Sequence, residues 1–245
     1  MALLEARGIN VRFGGHAAVR DVDLDCDAGQ ITGLIGPNGA GKTTIFNVIT
    51  GLQDTVSGTV VLDGKDITST RAHARARQGI ARTFQRLEVF GSLTARENLL
   101  TAAEIRRSWS RDRKSDPKAD VAQILDRVGI RGVADERVDA LPTGLARLVE
   151  LGRALATRPK VLLLDEPASG LDEGESDDFA NLLVELAGEG MAILLVEHDV
   201  QLVMRVCAHI HVLDFGAILA VGTPEEIQQD QTVLDAYLGT PADAP

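Results

Sequence analysis

The chain has 245 residues, more than the ~150 of an average domain and fewer than two such domains need, so one large domain with an inserted part fits. Hydrophobic residues make up 44% of the chain and charged residues 25%, a composition that excludes intrinsic disorder. With 25 basic and 36 acidic residues the net charge is −11, and only 3% of residues are aromatic, so nucleic acid is not an expected partner.

Membrane-spanning and exported segments are not expected. The N-terminus, MALLEARGIN, has no long apolar region and predicts no signal peptide. The longest apolar runs, at 161–164 and 191–196, are far shorter than the ~20 residues of a transmembrane helix, and they suit buried strands. Cys26 and Cys207 form no metal or disulfide pattern, which favours buried apolar roles and a reducing compartment.

The first third of the chain is predicted to be mainly β-structure. Alternating apolar residues and glycine turns predict strands at 3–13, 19–26 and 30–35, a helix at 41–51, a hairpin at 59–68, a short basic helix at 71–78 and a strand at 80–84. Thr94 followed by Glu97 forms a capping-box pattern that opens a helix. Residues 108–118 are predicted to be a mobile connection, and Pro117 near its end is predicted to start the next helix.

Alternation of helices and strands resumes after residue 140. The pattern predicts a helix at 144–157, a buried strand at 161–165, a helix at 175–188, a buried strand at 191–197 and short elements to 238, with a frayed tail at 241–245. Strands that alternate with helices indicate a parallel sheet covered on both faces.

A phosphate-binding loop stands between a predicted strand and a predicted helix. The sequence GPNGAGKT fits the pattern G-x-x-x-x-G-K-[ST], in which backbone amides, the helix start and a lysine together hold a phosphate chain. The candidate nucleotide-binding residues of this loop are Gly36, Pro37, Asn38, Gly39, Ala40, Gly41, Lys42, Thr43 and Thr44. The Thr43 hydroxyl is in addition a candidate Mg²⁺ ligand.

Two carboxylates end the buried strand VLLLDEP at 161–167. The carboxyl edge of a parallel sheet is where α/β proteins place their ligands. Asp165 is therefore expected to hold Mg²⁺ through water, and Glu166 to orient and deprotonate an attacking water molecule.

With these motifs in order, the chain resembles the ATP-binding-cassette (ABC) ATPase subunits over nearly its whole length. Phe13 stands where that family has an aromatic residue that stacks on adenine, and Gln85 in ARTFQ matches the Q-loop, which contacts Mg²⁺. His198 in VEHD matches the switch histidine, which holds the attacking water with Glu166. The signature loop matches Pro142, Thr143, Gly144 and Leu145, and the D-loop matches Ser169, Gly170, Leu171 and Asp172.

The resemblance implies a fold and a division of the chain. The expected fold is an α/β P-loop NTPase of ABC type, with a mixed, largely parallel core sheet, an N-terminal antiparallel β part and an inserted helical subdomain. One nucleotide-binding domain would span 1–240, with core residues in 1–85 and 158–240 and the helical subdomain at 86–157.

The resemblance also implies partners. The signature loop of one cassette closes over ATP bound to a second cassette, here expected to be a different chain in a head-to-tail dimer. Transmembrane permease subunits would dock in a groove near Gln85–Leu93, at the cytoplasmic face of the cell membrane. An extracytoplasmic solute-binding protein would take part indirectly. The segments RFGGHAAVRDV and LVEHDVQLVM are most similar to cassettes of branched-chain amino-acid importers.

The signature departs from the common LSGGQ. Pro142 stands at the serine position and Leu145 at the glutamine position, whereas Gly144 is kept. Proline lacks both a hydroxyl and a backbone N–H, so the ATP site closed by this loop is expected to be weakened.

Other functions are weighed against this one. An ABC ATPase for another solute, such as urea or an amide, would carry the same motifs. A soluble ABC ATPase of DNA repair, translation or cluster assembly is a further alternative, and the acidic charge disfavours the nucleic-acid cases. A small-molecule kinase would use the phosphate loop, but it would have no need for the signature loop, the D-loop or His198.

Overall fold

The structure is a computed structural model that describes residues 2–110 and 116–238. The predicted frayed tail, 241–245, and the middle of the predicted connection at 108–118 lie outside these ranges. None of the described helices has the length and apolar character needed to cross a membrane.

The described elements follow the predicted alternation closely. The strands are β1 Ala2–Phe13, β2 His16–Asp27, β3 Ile31–Ile35, β4 Ser57–Leu62, β5 Lys65–Asp66, β6 Ile80–Arg82, β7 Val161–Asp165, β8 Ala192–Val196, β9 His209–Asp214 and β10 Ala217–Gly222. The α-helices are α1 Lys42–Thr50, α2 Ala72–Gln78, α3 Ala95–Trp109, α4 Pro117–Arg127, α5 Thr143–Ala156, α6 Glu173–Gly188, α7 Val200–Val206, α8 Pro224–Gln229 and α9 Gln231–Val233.

The N-terminal strands form an antiparallel sheet in the order β2-β1-β4-β5. Residues at alternate positions, such as Leu4 and Ala6 of β1, are buried on one face of this sheet. They pack with Phe46 and Ile49 of α1 in a shared core between the antiparallel sheet and the central sheet.

The central sheet has the order β10-β9-β3-β8-β7-β6, and the strands β9, β3, β8, β7 and β6 are parallel. β3, β7 and β8 are buried along their whole length, as expected for parallel strands covered on both faces. Parallel strands end at one edge of the sheet, so the segments that follow β3, β6, β7 and β8 meet there. The expected α/β architecture, with a mixed, largely parallel core sheet and an N-terminal antiparallel part, is observed.

Helices α3, α4 and α5 pack against one another between β6 and β7 in the chain. The capping box at the start of α3 is confirmed, because Thr94 Oγ1 accepts from the Glu97 amide and Glu97 Oε2 accepts from the Thr94 amide. α4 begins at Pro117, as predicted. The assignment of 86–157 to a separate helical subdomain stays a prediction.

Some boundaries differ from the predicted ones for local reasons. β6 ends at Arg82 rather than at Phe84, because the Phe84 amide donates to Glu150 of α5 instead of to a neighbouring strand. The second strand of the hairpin ends at Asp66, whose side chain accepts from the Thr68 amide and turns the chain. α6 begins at Glu173, earlier than predicted, because Asp172 caps it.

Candidate functional site

The phosphate loop joins β3 to α1 at the carboxyl edge of the central sheet. Gly36 has φ +150°, and a Cβ at this position would lie 2.0 Å from the Leu213 carbonyl oxygen, so only glycine fits. The Ala40 amide donates to the Pro37 carbonyl at 3.2 Å and closes the turn. The loop therefore has the tight, glycine-dependent curvature that lets its backbone amides approach a phosphate chain.

The first turn of α1 supplies amides directed out of the helix. Its first hydrogen bond runs from Ile45 N to Gly41 O at 3.0 Å, so the amides of Lys42, Thr43 and Thr44 have no acceptor within the helix. These amides and the helix dipole favour an anion at this end.

Lys42 lies over the phosphate loop. Its Nζ donates to the carbonyl oxygens of Gly36 at 2.6 Å and Pro37 at 3.1 Å. Burial lowers the pKa of Lys42, and the nearby carboxylates Glu166 and Asp165 act in the opposite direction. A single, largely buried ammonium group thus stands between the loop and the two carboxylates, where it can pair with phosphate oxygens.

Asp165 is the last residue of β7 and is only 1% exposed. Its amide donates to Thr83 Oγ1 at 3.1 Å, and its Oδ2 lies 3.3 Å from Arg82 Nη2. Burial raises the pKa of Asp165, whereas the positive charge of Arg82 lowers it. Asp165 is thus a fixed carboxylate in a buried ion pair.

Arg82 is a site residue that the sequence did not single out. Its Nη1 donates to Asn47 Oδ1 of α1 at 2.7 Å, and its guanidinium carbon stands 4.3 Å from the ring centre of Phe84. It therefore links α1, β6 and β7 around Asp165. The sequence feature that could have identified Arg82 is its charge within IARTF, an otherwise largely apolar predicted strand.

The side chain of Glu166, which follows β7, contacts residues that follow two other parallel strands, β6 and β8. Its Oε1 lies 2.8 Å from His198 Nε2 and 3.1 Å from Gln85 Nε2. The backbone of Glu166 has φ +51°, an uncommon conformation for a residue with a side chain, and its amide donates to Val196 O at 2.8 Å. This carboxylate has the position and the partners that a general base needs.

Glu197 is a second site residue that the sequence did not single out. It is 5% exposed; its Oε1 accepts from the Ala168 amide at 2.8 Å, and its Oε2 accepts from the His198 amide at 3.1 Å. Burial raises the pKa of Glu197, and the backbone amides oppose this shift. Its carboxylate joins the segment after β7 to the histidine after β8.

The predicted Mg²⁺ ligands fit that ion by their chemistry. Thr43, Asp165 and Gln85 supply a hydroxyl, a carboxylate and an amide oxygen, which are the hard oxygen donors that Mg²⁺ prefers. Since Gln85 Nε2 donates to Glu166, its Oε1 is the atom left for a cation. Residues 2–110 and 116–238 contain no group of three or more His, Cys, Asp or Glu side chains that could hold a metal. One hydroxyl, one carboxylate and one amide oxygen leave coordination positions for water and phosphate oxygens, as is usual for protein-bound Mg²⁺.

The signature loop lies against the D-loop of the same chain. Pro142 is the N-cap of α5, and the Ala146 amide donates to its carbonyl at 3.0 Å. A Cβ at Gly144 would lie 2.7 Å from the Gly170 carbonyl oxygen, which explains why glycine is kept at this one position of a divergent signature. Since Ala146 is the first donor within the helix, the amides of Thr143, Gly144 and Leu145 have no acceptor inside it.

The D-loop has a defined path from the carboxylates to α6. The Ser169 amide donates to the Glu166 carbonyl at 3.3 Å, and the Leu171 amide donates to the Ala168 carbonyl at 3.1 Å. Asp172 then caps α6 through the Glu175 amide at 2.8 Å. The D-loop thus connects Glu166 to α6, and its Gly170 lies against Thr143 and Gly144 of the signature loop.

Phe13 is the last residue of β1 and is 52% exposed, so its ring is free to stack on a planar group. A crevice of about 330 Å³ adjoins the hairpin that follows Phe13, and it reaches the phosphate loop. Its lining residues are His16, Ala17, Ala18, Arg20, Gly39 and Phe215. The adenine-stacking role of Phe13 stays a prediction.

A larger, mainly apolar groove of about 760 Å³ lies between α2, α3 and α5. Of the predicted docking segment Gln85–Leu93, the residues Glu88, Val89 and Phe90 line it. Phe90 and Ile105 are exposed large apolar side chains at this groove. An exposed apolar groove of this kind is typical of a protein-binding surface.

Comparison with known proteins places the chain in a family. Residues 19–169 match the model described as ABC transporter, and residues 217–243 match the model described as branched-chain amino acid ATP-binding cassette transporter. The chain belongs to the ABC transporter family. Within it, the chain is an ATP-binding subunit of the branched-chain amino-acid type and an ATP-hydrolysing cassette.

Individual relatives agree with this placement. The chain is 41% identical to the high-affinity branched-chain amino acid transport ATP-binding protein BraF of Pseudomonas aeruginosa, over 97% of this chain and 98% of that protein. It is 36% identical to the lipopolysaccharide export system ATP-binding protein LptB of Haemophilus influenzae, over 98% of both. A crystal structure of the ADP conformation of an ABC transporter cassette has a TM-score of 0.85 and 32% identity, covering 98% of this chain and 100% of that one.

Proposed function

We propose that the chain binds Mg²⁺–ATP at its phosphate loop and uses hydrolysis to drive uptake of branched-chain or other hydrophobic amino acids. Glu166 is the base, and His198 and Gln85 hold it and the attacking water in place. The observation that carries this proposal is the meeting of Gln85 and His198 on one oxygen of Glu166, beside a phosphate loop. This arrangement positions a base without requiring a covalent intermediate.

The same proposal assigns partners to two surfaces. Permease subunits dock in the groove that Val89 and Phe90 line. The proposed location of the chain is accordingly the cytoplasmic face of the cell membrane. A second cassette faces the signature loop, and it presents ATP to the free amides at the start of α5. The extracytoplasmic solute-binding protein acts through the permease.

Reconstitution tests this function. The chain is combined with its permease subunits and a second cassette in vesicles that contain ATP, and uptake of radiolabelled leucine is measured with the solute-binding protein outside. ATP-dependent leucine uptake that disappears with Glu166→Gln is expected. ATP hydrolysis without uptake of leucine, isoleucine, valine or phenylalanine would contradict the assigned solute class.

Because LptB, a relative of the chain, is named for lipopolysaccharide export, export of a lipid is the second candidate. The two functions differ in direction and cargo, so the same vesicles separate them. Release of lipopolysaccharide in place of leucine uptake would support the second candidate.

Lys42→Ala is expected to weaken ATP binding, because the phosphates lose a buried positive charge worth about 1.5–3 kcal/mol, or roughly ten- to a hundredfold in affinity. Isothermal calorimetry on the isolated chain measures this affinity. Lys65→Ala is the matched control, since Lys65 lies on the short exposed strand β5. An unchanged affinity for Lys42→Ala would show that the loop amides suffice.

Pro142→Ser is expected to strengthen ATP-driven association of cassettes. Serine restores a backbone N–H and a hydroxyl at the helix start, and a hydrogen bond to a charged group is worth about 1.5–3 kcal/mol, or roughly ten- to a hundredfold. Sedimentation in the presence of ATP, with Glu166→Gln to prevent hydrolysis, measures the dimer. Equal association with and without Pro142→Ser would mean that the three remaining amides already hold the γ-phosphate.

A further inference from the structure

Two charged residues of α5 form a buried ion pair that the catalytic site does not use. The side chains of Arg147 and Glu150 are 9% and 4% exposed, and Arg147 Nη1 lies 3.1 Å from Glu150 Oε2. They stand three positions apart and so share one face of the helix. Burial raises the pKa of Glu150, and its bonds to backbone amides and to Arg147 oppose this shift.

Both side chains hold the backbone of the Q-loop. Glu150 Oε1 accepts from the Phe84 amide at 3.1 Å and from the Glu88 amide at 3.3 Å. Arg147 Nη1 donates to the Phe84 carbonyl at 2.6 Å, and its Nη2 donates to the Gln85 carbonyl. The backbone from Phe84 to Glu88 therefore finds hydrogen-bond partners on α5 rather than on the sheet.

This pair, Arg147–Glu150, stands close to the start of the signature helix. Arg147 follows Thr143 by four residues, so about 6 Å of continuous helix separates the Q-loop contacts from the signature amides. Gln85 itself reaches Glu166 through its side chain while Arg147 holds its carbonyl. A displacement of Gln85 therefore has a short and rigid route to the signature loop.

A structural role alone explains the pair poorly. Replacing a buried ion pair by apolar residues of similar size is often neutral or stabilising, because desolvation of two charges offsets their attraction. Here both charged groups bind the backbone of the Q-loop. Glu150 accepts from its amides, and Arg147 donates to its carbonyl oxygens.

We propose that Arg147 and Glu150 are positioning residues that transmit the nucleotide state at this chain's own phosphate loop to its signature loop, and thereby couple the two ATP sites of a cassette pair. The inference rests on the proposed nucleotide site. Nucleotide that contacts Gln85 moves the Q-loop backbone. Because Arg147 and Glu150 are hydrogen-bonded to that backbone, α5 moves with it.

Hydrogen–deuterium exchange of the full chain tests the coupling. Exchange of the amides 143–149 is measured with and without Mg²⁺ and a non-hydrolysable ATP analogue. In the wild type we expect nucleotide to change their exchange rates by about two- to thirtyfold. In the double variant Arg147→Met/Glu150→Met, which replaces the pair by apolar groups, we expect no change in 143–149 although nucleotide still protects 36–44.

Controls separate loss of coupling from loss of fold. The matched variant Arg96→Met/Asp135→Met removes an exposed ion pair that includes a residue of α3, and it should keep the wild-type response. Glu150→Gln keeps an acceptor oxygen for the loop amides and removes the charge. It should reduce the nucleotide-dependent change in exchange only in part, and it replaces the double variant as the test if that variant does not fold.

Two results would overturn the inference. The first is a nucleotide-dependent change in exchange at 143–149 that persists in the double variant, or that is undiminished in Glu150→Gln if the double variant does not fold. The second is a wild-type chain that binds nucleotide without any change in exchange at 143–149. Calorimetry on the same samples distinguishes these from failure of the proposed function, because a wild type that binds no nucleotide would reject the site itself. In the assembled transporter, the double variant should lower the Hill coefficient of ATP hydrolysis toward one.

Discussion

Glu166→Gln is expected to leave ATP bound and to reduce its hydrolysis by about 10²- to 10⁴-fold, the typical contribution of a positioned general base. Glutamine keeps the length of the side chain and an oxygen that can accept from Gln85 and His198. It cannot take a proton from the attacking water. Because Lys42 and the loop amides are untouched, ATP remains bound and is expected to hold cassette pairs together.

Release of phosphate at saturating ATP measures the first effect, and calorimetry measures ATP affinity. Glu189→Gln is the matched control, since Glu189 lies at the end of α6 with its carboxylate on Arg127, away from the phosphate loop. Steady-state hydrolysis near the wild-type rate would reject Glu166 as the base.

Much of the site could be predicted because its residues follow strands of one parallel sheet. The phosphate loop follows β3, Glu166 follows β7 and His198 follows β8. Parallel strands end at one edge, so local patterns that are far apart in the sequence predict one place in space. Family resemblance alone identifies Gln85 and His198 in the sequence, and only the structure brings both onto one oxygen of Glu166, because no pattern within a single segment indicates that contact.

The residues that sequence reasoning missed act through side-chain contacts between distant segments. Glu197 stands next to a histidine that has a recognised motif, but its bond to the Ala168 amide depends on the D-loop path. Arg147 and Glu150 look like an ordinary helical ion pair at spacing three. Only the structure places the Q-loop backbone against them.

The signature loop is a case in which the structure refines the expectation. The sequence predicts a weakened site because Pro142 removes a backbone donor. Pro142 is the N-cap, and the bond from Ala146 to its carbonyl leaves three following amides free for a phosphate. The expected defect is therefore the loss of one donor and one hydroxyl, while the rest of the helix start keeps its capacity to bind an anion.

Arg82→Met is expected to have the largest effect on stability. Arg82 and Asp165 form an ion pair whose side chains are 6% and 2% exposed, and removal of one partner of a buried pair costs about 3–5 kcal/mol because the other charge is left unpaired. Methionine fills similar space beside Phe46 and Phe84, so the loss of charge, not of volume, dominates. The midpoint of urea unfolding, measured without nucleotide or Mg²⁺, should fall accordingly.

A double-mutant cycle identifies the cause of this loss. Asp165→Asn removes the charge that Arg82→Met leaves unpaired, so the double variant should be more stable than Arg82→Met alone. Arg96→Met, which breaks an exposed ion pair, should change the midpoint little. If the effects of Arg82→Met and Asp165→Asn were additive, the ion pair would contribute nothing, and the bond from Arg82 to Asn47 and its ring contacts would account for the stability. A sub-additive result would instead mean that Arg82 compensates the buried charge of the predicted Mg²⁺ ligand, which explains why a buried arginine stands in a strand of the core sheet.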